Sequence, residues 1–133
     1  MASERKKAMI VVRKAPHGSI YVQEAQEVML IVAAYEMELS VVFIDDGVFA
    51  LKSGQDTKEL GTKSFMPIFT ALIDWEIENV YIDEDSMKNR GMSEEQIITI
   101  GEDEETEELV KPAILKTSEI QALMKTQDTI LSF

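Results

Sequence analysis

The chain carries short, unbroken apolar runs separated by segments in which apolar residues recur at helical spacing. Ala8-Met9-Ile10-Val11-Val12 is the first run, closed by the turn-forming stretch Arg13-Lys14-Ala15-Pro16-His17-Gly18. A run that is apolar at every position, not at every second one, reads as a strand buried on both faces. From Ser19 to Met37, Tyr21, Ala25, Val28, Met29 and Val32 fall on one helical face, while Gln23, Glu24, Gln26 and Glu27 fall mainly elsewhere. This predicts an amphipathic helix capped by Ser19. Leu39 to Ile44 is a second strand, ended by Asp45-Asp46-Gly47, and Val48 to Leu51 a short helical piece. Lys52 to Lys63, with Gly54 and Gly61, has the composition of a surface loop. Phe65, Ile68, Phe69, Leu72 and Ile73 predict a helix to Trp75, with Pro67 in its first turn. The expected third strand is Asn79 to Ile82, followed by a short helix over Asp83 to Asn89 that Gly91 stops. Ser93-Glu94-Glu95-Gln96 has capping-box form before a fourth strand, Ile97 to Ile100. A second box, Ser118 to Gln121, opens a helix that buries Ile120, Leu123 and Met124, and Thr129 to Phe133 is the last strand.

Alternating strands and helices, with strands apolar on both faces, imply a mostly parallel sheet covered on both sides. The expected fold is therefore α/β, a flavodoxin-like three-layer domain with a five-stranded sheet flanked by helices, spanning residues 1–133 as a single domain. At 133 residues the chain suits one core. A hydrophobic share of 45% beside 29% charged residues is that of a soluble globular protein. The longest apolar run, Val28 to Ala34, is too short to cross a bilayer, and the apolar stretch after the basic start is too short for a signal peptide, so the expected location is the cytoplasm.

Charge and chemistry narrow the function classes further. The absence of cysteine removes disulfides, thiolate metal sites and thiol chemistry, leaving His17 as the single soft ligand. A net charge of −12 argues against direct nucleic-acid binding, where phosphate neutralisation dominates affinity. Half of that charge sits in Glu102, Asp103, Glu104, Glu105, Glu107 and Glu108, which read as a solvated loop more readily than as a contact for a basic partner.

In an open parallel sheet, ligands bind beyond the carboxyl ends of the strands. Ala15 to Ser19, Asp45-Asp46-Gly47, Asp83-Glu84-Asp85 and the segment from Gly101 onward reach that edge. Asp45, Asp46 and Asp83 could hold a divalent cation for phosphoryl transfer, but the first strand ends in Arg13-Lys14 and the last strand carries no lysine. Aspartates in loops more often make turns and cap helices. Pro16-His17-Gly18-Ser19 could hold a phosphate at a helix start, although its spacing is no phosphate-loop motif. Histidine as a residue type suits general base work, yet no serine or cysteine motif accompanies His17. Trp75, Phe65 and Phe69 read as core or subunit-interface residues before stacking groups, and the methionines as gap-fillers. No cofactor or metal is indicated. The possible binding or interface residues are His17, Gly18, Asp45, Asp46, Gly47 and Asp83.

Several segments, taken in order, resemble the DsrE/DsrF-like family. They are Arg13 to Ser19, Phe43-Ile44-Asp45-Asp46-Gly47-Val48, Gly54-Gln55-Asp56-Thr57, Tyr81 to Gly91, and Asp128 to Phe133. Within that family they look most like the DsrF branch, which is related to TusC. The resemblance implies a flavodoxin-like α/β fold and a cytoplasmic heterohexamer of DsrE-, DsrF- and DsrH-like subunits, two of each. In such a complex, persulfide sulfur sits on a cysteine of the DsrE-like subunit and passes to a small acceptor, DsrC or its relative TusE. By register that cysteine follows the third strand, where this chain has Asp83, so the implied role is a non-catalytic, structural one in sulfur oxidation. The alternatives are a TusC-like role in tRNA wobble-uridine thiolation, or a stand-alone homo-oligomer that binds a ligand or metal through Asp45, Asp46 and Asp83. An assembly surface is expected around Phe49, Leu51, Phe65, Met66 and Phe69.

Overall fold

The computed structural model describes residues 5–35, 37–54 and 66–133. The expected loop beyond Gly54, Gln55 to Thr57 of the family resemblance, and Phe65 lie outside the described residues. The first apolar run forms β1 (Lys7–Val12), followed by α1 (Tyr21–Ala34) and β2 (Glu38–Phe43). A 3-10 helix over Asp45–Leu51 is the next element, and the described chain resumes with α2 (Met66–Phe69) and a 3-10 turn at Leu72–Trp75. Then come β3 (Asn79–Asp83), α3 (Glu84–Asn89), a 3-10 turn at Glu94–Gln96, and the hairpin β4 (Gly101–Glu102) and β5 (Leu109–Val110). The chain ends with β6 (Ala113–Leu115), α4 (Thr117–Met124) and β7 (Thr129–Ser132).

The main sheet has five strands, all parallel, in the order β6-β3-β2-β1-β7. The α/β class and the layered parallel sheet are as the sequence predicts. The strand order is not the flavodoxin one, in which the first strand lies between the second and third. Here the chain steps in one direction from β1 through β2 and β3 to β6, and only then crosses back to place β7 on the far side of β1. Right-handed crossovers put connections running in one direction on one face of a sheet. Accordingly, Val22, Ala25 and Met29 of α1, Val48 and Leu51 of the 3-10 helix, and Met87 of α3 share a core with Ile10, Val12, Val41, Phe43 and Ile82. The returning crossover, α4, lies on the other face, where Ile120 packs with Met9, Val11 and Val42, flanked by Tyr81, Leu115, Leu123 and Met124. Burial on both faces explains the unbroken apolar runs: Met9, Ile10 and Val12 are fully buried, each contributing about 1.5–3 kcal/mol.

Several local expectations are corrected. The buried face of α1 is Val22, Ala25, Gln26 and Met29, rotated from the predicted one, and Tyr21 is exposed. Its N-cap is Ile20 without a side-chain bond, not Ser19. The helix expected to run to Trp75 is broken. The Ile73 N–H bonds to the Ile100 carbonyl at 3.0 Å and so leaves the helical ladder, and Glu76 ends the turn at φ 62°. Ile97 to Ile100 is buried, as an apolar run should be, but it is not a strand of the main sheet. Its amides and carbonyls bond to separate neighbours: Ile98 N–H to Leu51, Ile100 N–H to Val110, and the Ile100 carbonyl to Ile73. The fourth strand of the sheet is β6, a short half-buried segment beside Pro112. The box at Ser93 is present, whereas α4 opens at Thr117, with the Glu119 carboxylate accepting the Lys116 N–H at 3.0 Å. Leu51 and Phe69 are fully buried, Phe69 edge-on to Phe43 at 5.5 Å, so they belong to the core and not to an assembly surface. Trp75 is 51% exposed, which excludes the core half of its expected role, core or subunit interface. The acidic segment, in contrast, is as expected a solvated loop, exposed throughout at the tip of the β4–β5 hairpin.

Gly47 is required by close approach. A Cβ there would lie 1.9 Å from the Val12 carbonyl oxygen at the end of β1. We expect Gly47→Ala to lower stability by about 2–4 kcal/mol, measured by urea unfolding; a loss near zero would mean that this contact relaxes freely.

Candidate functional site

Asp83, Asp45 and Thr117 come together at the carboxyl edge of the sheet, although they are distant in sequence. β3 ends on Asp83, whose extended backbone and short acceptor make it the N-cap of α3. Its Oδ2 accepts the Ser86 N–H at 3.1 Å and the Ser86 hydroxyl at 2.6 Å. Its Oδ1 accepts the Thr117 hydroxyl, from the first residue of α4, at 2.8 Å. Thr117 also lies 3.1 Å from Asp85 Oδ2, so its one proton is shared between two carboxylates. Ser86 Oγ in turn accepts the Asp45 N–H at 2.9 Å, holding Asp45 in a left-handed conformation at φ 52°. Aspartate tolerates that conformation better than most residues. Asp83 is thus buried and bonded on both oxygens, and it ties the ends of β2, β3 and β6 together.

The neighbouring acids are largely engaged. Asp46 accepts from Arg90 Nε at 3.0 Å, and Glu84 pairs with Lys88 at 3.1 Å on the exposed face of α3. Partly exposed pairs of this kind contribute on the order of 0.5 kcal/mol each. The carboxylates proposed as metal ligands therefore point to different partners. Among the described residues, no group of three or more His, Asp or Glu side chains is placed to hold a metal ion. Gly47 sits against β1 as described. His17 and Gly18 lie exposed in the β1–α1 turn, Gly18 at φ 86°, and neither lines the hollow beside Asp83.

That hollow, of about 230 Å³, has walls of Ile44, Ile120 and Met124, with Asp45, Thr117 and Gln121 at its margin and Asp83 at one side. Sequence reasoning reached Asp45 and Asp83 through the rule that sites lie beyond strand ends, but missed Ser86, Thr117 and Arg90. The Asp83–Ser86 spacing was readable as a cap. Nothing local marks Thr117, which reaches Asp83 only because β6 pairs with β3.

At the far hairpin, Asp103 Oδ1 accepts the N–H groups of Glu105 at 2.9 Å and Thr106 at 3.0 Å. The Thr106 and Glu105 amides hold its carboxyl below the ordinary aspartate range, although the group is fully exposed.

Residues 6–133 match the model of the DsrE/DsrF-like family. The "Intracellular sulfur oxidation protein DsrF" of Allochromatium vinosum is 41% identical, with 100% of both chains covered. A "Protein TusC homolog" of Vibrio vulnificus is 31% identical over 91% of this chain and 93% of its own. In fold, the crystal structure of the YchN protein from E. coli matches with a TM-score of 0.67, covering 96% of this chain and 99% of its own at 19% identity.

Two outcomes follow from this geometry. Asp83→Ala removes the cap and strands two hydroxyls, and should cost about 2–4 kcal/mol in urea unfolding. Asp83→Asn keeps an acceptor for Ser86 and should cost only about 1 kcal/mol; equal losses would contradict the node. For Asp103, a depressed pKa means that its bonds are present above the unfolded value and lost as pH falls through the lower folded one. The Glu105 and Thr106 amide NMR shifts should therefore move only below the ordinary aspartate range. A transition within that range would contradict the turn.

Proposed function

Because this chain belongs to the DsrE/DsrF-like family, we propose that it is a subunit of a sulfur-relay complex, in the manner of DsrF, and positions partners instead of carrying sulfur. Asp83 is the observation that carries this reading. In register it stands where the DsrE-like subunit has its sulfur-carrying cysteine, and a carboxylate cannot form a persulfide, which needs a thiolate nucleophile. The chain contains no cysteine to take that part. All three acceptor contacts of Asp83 hold the fold together, which supports a structural use of the position.

On this reading the companions are DsrE-like and DsrH-like subunits, two of each with two copies of this chain, and the acceptor is a small DsrC-type protein. The working site is the cytoplasm. Among the described residues, no helix is long and apolar enough to cross a membrane. We assign the pathway to sulfur oxidation. Identity of 41% to DsrF with both chains fully covered, against 31% to the TusC homologue, supports that over tRNA thiolation.

Sulfur transfer to the acceptor, followed by mass spectrometry of its cysteine persulfide, tests the role. Omitting this chain from the reconstituted complex should abolish transfer. Asp83→Asn in an intact complex should leave the rate within about twofold. Loss of transfer by that variant, with all subunits still assembled, would show that Asp83 takes part in the chemistry.

A further inference from the structure

The two edges of the main sheet are built differently. At one, β6 has only 3 residues, preceded by the buried Pro112 and flanked by the exposed Lys111 and Lys116. A short strand, a proline without an N–H and flanking lysines are devices that keep a sheet edge from pairing with another molecule. At the other edge, Thr129-Ile130-Leu131-Ser132 of β7 carries neither charge nor proline, and every residue of it is exposed. The Asp128 N–H turns inward to the Lys7 carbonyl at 2.9 Å, so by the alternation of a strand Thr129 and Leu131 turn their N–H and C=O groups outward. Among the described residues, β7 pairs with β1 alone, and no hydrogen bond reaches those outward groups. The side chains repeat the pattern. Ile130, in register with Met9, stands 44% exposed on the α4 face, and Leu131, in register with Ile10, stands 40% exposed on the opposite one.

Unpaired donors and acceptors in a row, with apolar side chains on both faces, fit an added strand and not a helix or a small ligand. We propose that β7 is the contact between two copies of this chain, paired antiparallel about a two-fold axis normal to the sheet. The guarded β6 edge disfavours head-to-tail growth of β7 onto the next copy's β6, which leaves the closed two-fold pairing. Charge permits it: the chain carries −12, but Ala122 to Phe133 holds only Lys125 and Asp128, which cancel. The register follows from the alternation. A two-fold axis normal to the sheet keeps both α4 faces on one side, so residues of like face must oppose each other. With Thr129 opposite the partner's Leu131, each such pair exchanges both of its hydrogen bonds. Ile130 then meets the partner's Ile130 in the closer, non-hydrogen-bonded pair, and the exposed isoleucines cover each other where α4 does not reach.

Sedimentation velocity of the full chain alone, across the micromolar range, should show a monomer–dimer equilibrium. Amide hydrogen exchange of Thr129 and Leu131 should slow about tenfold from the dilute to the concentrated end of that range. Ile130→Lys and Ile130→Glu should each weaken self-association about tenfold, because each sets like charges face to face on the axis, and mixing the two variants should restore it as a mixed dimer. Amide spectra unchanged away from β7 verify that the variants fold, and the exchange measurement on the unaltered chain decides the outcome if either does not. A monomer at every concentration overturns the proposal, and leaves the edge to a different strand. A dimer in which the Thr129 and Leu131 amides stay unprotected, or a mixture that associates no better than either variant alone, overturns it as well. The inference goes beyond the relay-subunit reading and is measured on this chain by itself, whereas that reading is tested by sulfur transfer in the assembled complex, so either can fail without the other.

Discussion

One buried carboxylate organises the carboxyl edge of the main sheet. Asp83 accepts from Ser86 twice and from Thr117 once, and Ser86 passes the constraint on to the backbone of Asp45. A buried polar group is tolerated when hydrogen-bond partners saturate it, and removing any of them exposes the desolvation cost. The ends of β2 and β3, the start of α3 and the start of α4 are therefore placed relative to one another by a single side chain. On the proposed register, this is also the position at which a sulfur-carrying relative needs a thiol.

The sheet topology decides what surrounds that node. Because the chain steps from β1 to β6 in one direction, the described parts of its first crossovers lie on one face, and among the described residues α4 covers the other. A helix spanning Thr117–Met124 cannot cover the whole face. The register of Ile130 with Met9 places it on the α4 face, where it remains 44% exposed. The same thin cover leaves the hollow between α4 and the end of β2 open to solvent.

Much of this was legible in the sequence, and the remainder was hidden for physical reasons. Unbroken apolar runs identified β1, β2 and β3 because each is buried on both faces. Ile97 to Ile100 shares that signature, yet its hydrogen bonds go to several neighbours, since apolar periodicity reports burial and not pairing. The phase of α1 is hard to read because its second half, Val28 to Ala34, is apolar all round: Ile31 is exposed while Gln26 is buried. Strand order depends on which crossover reverses, a tertiary choice that no local motif encodes. At the site, Asp45 and Asp83 were found by their place after strands, whereas Thr117 became a partner only through the β3–β6 pairing.

Native mass spectrometry of the chain co-expressed with its genomic neighbours tests most directly whether it works as one member of a mixed assembly. The predicted result is a complex in which this subunit is accompanied by cysteine-bearing relatives of the same fold, two copies of each. A homo-oligomer of this chain alone, formed while those relatives are present and soluble, would contradict it.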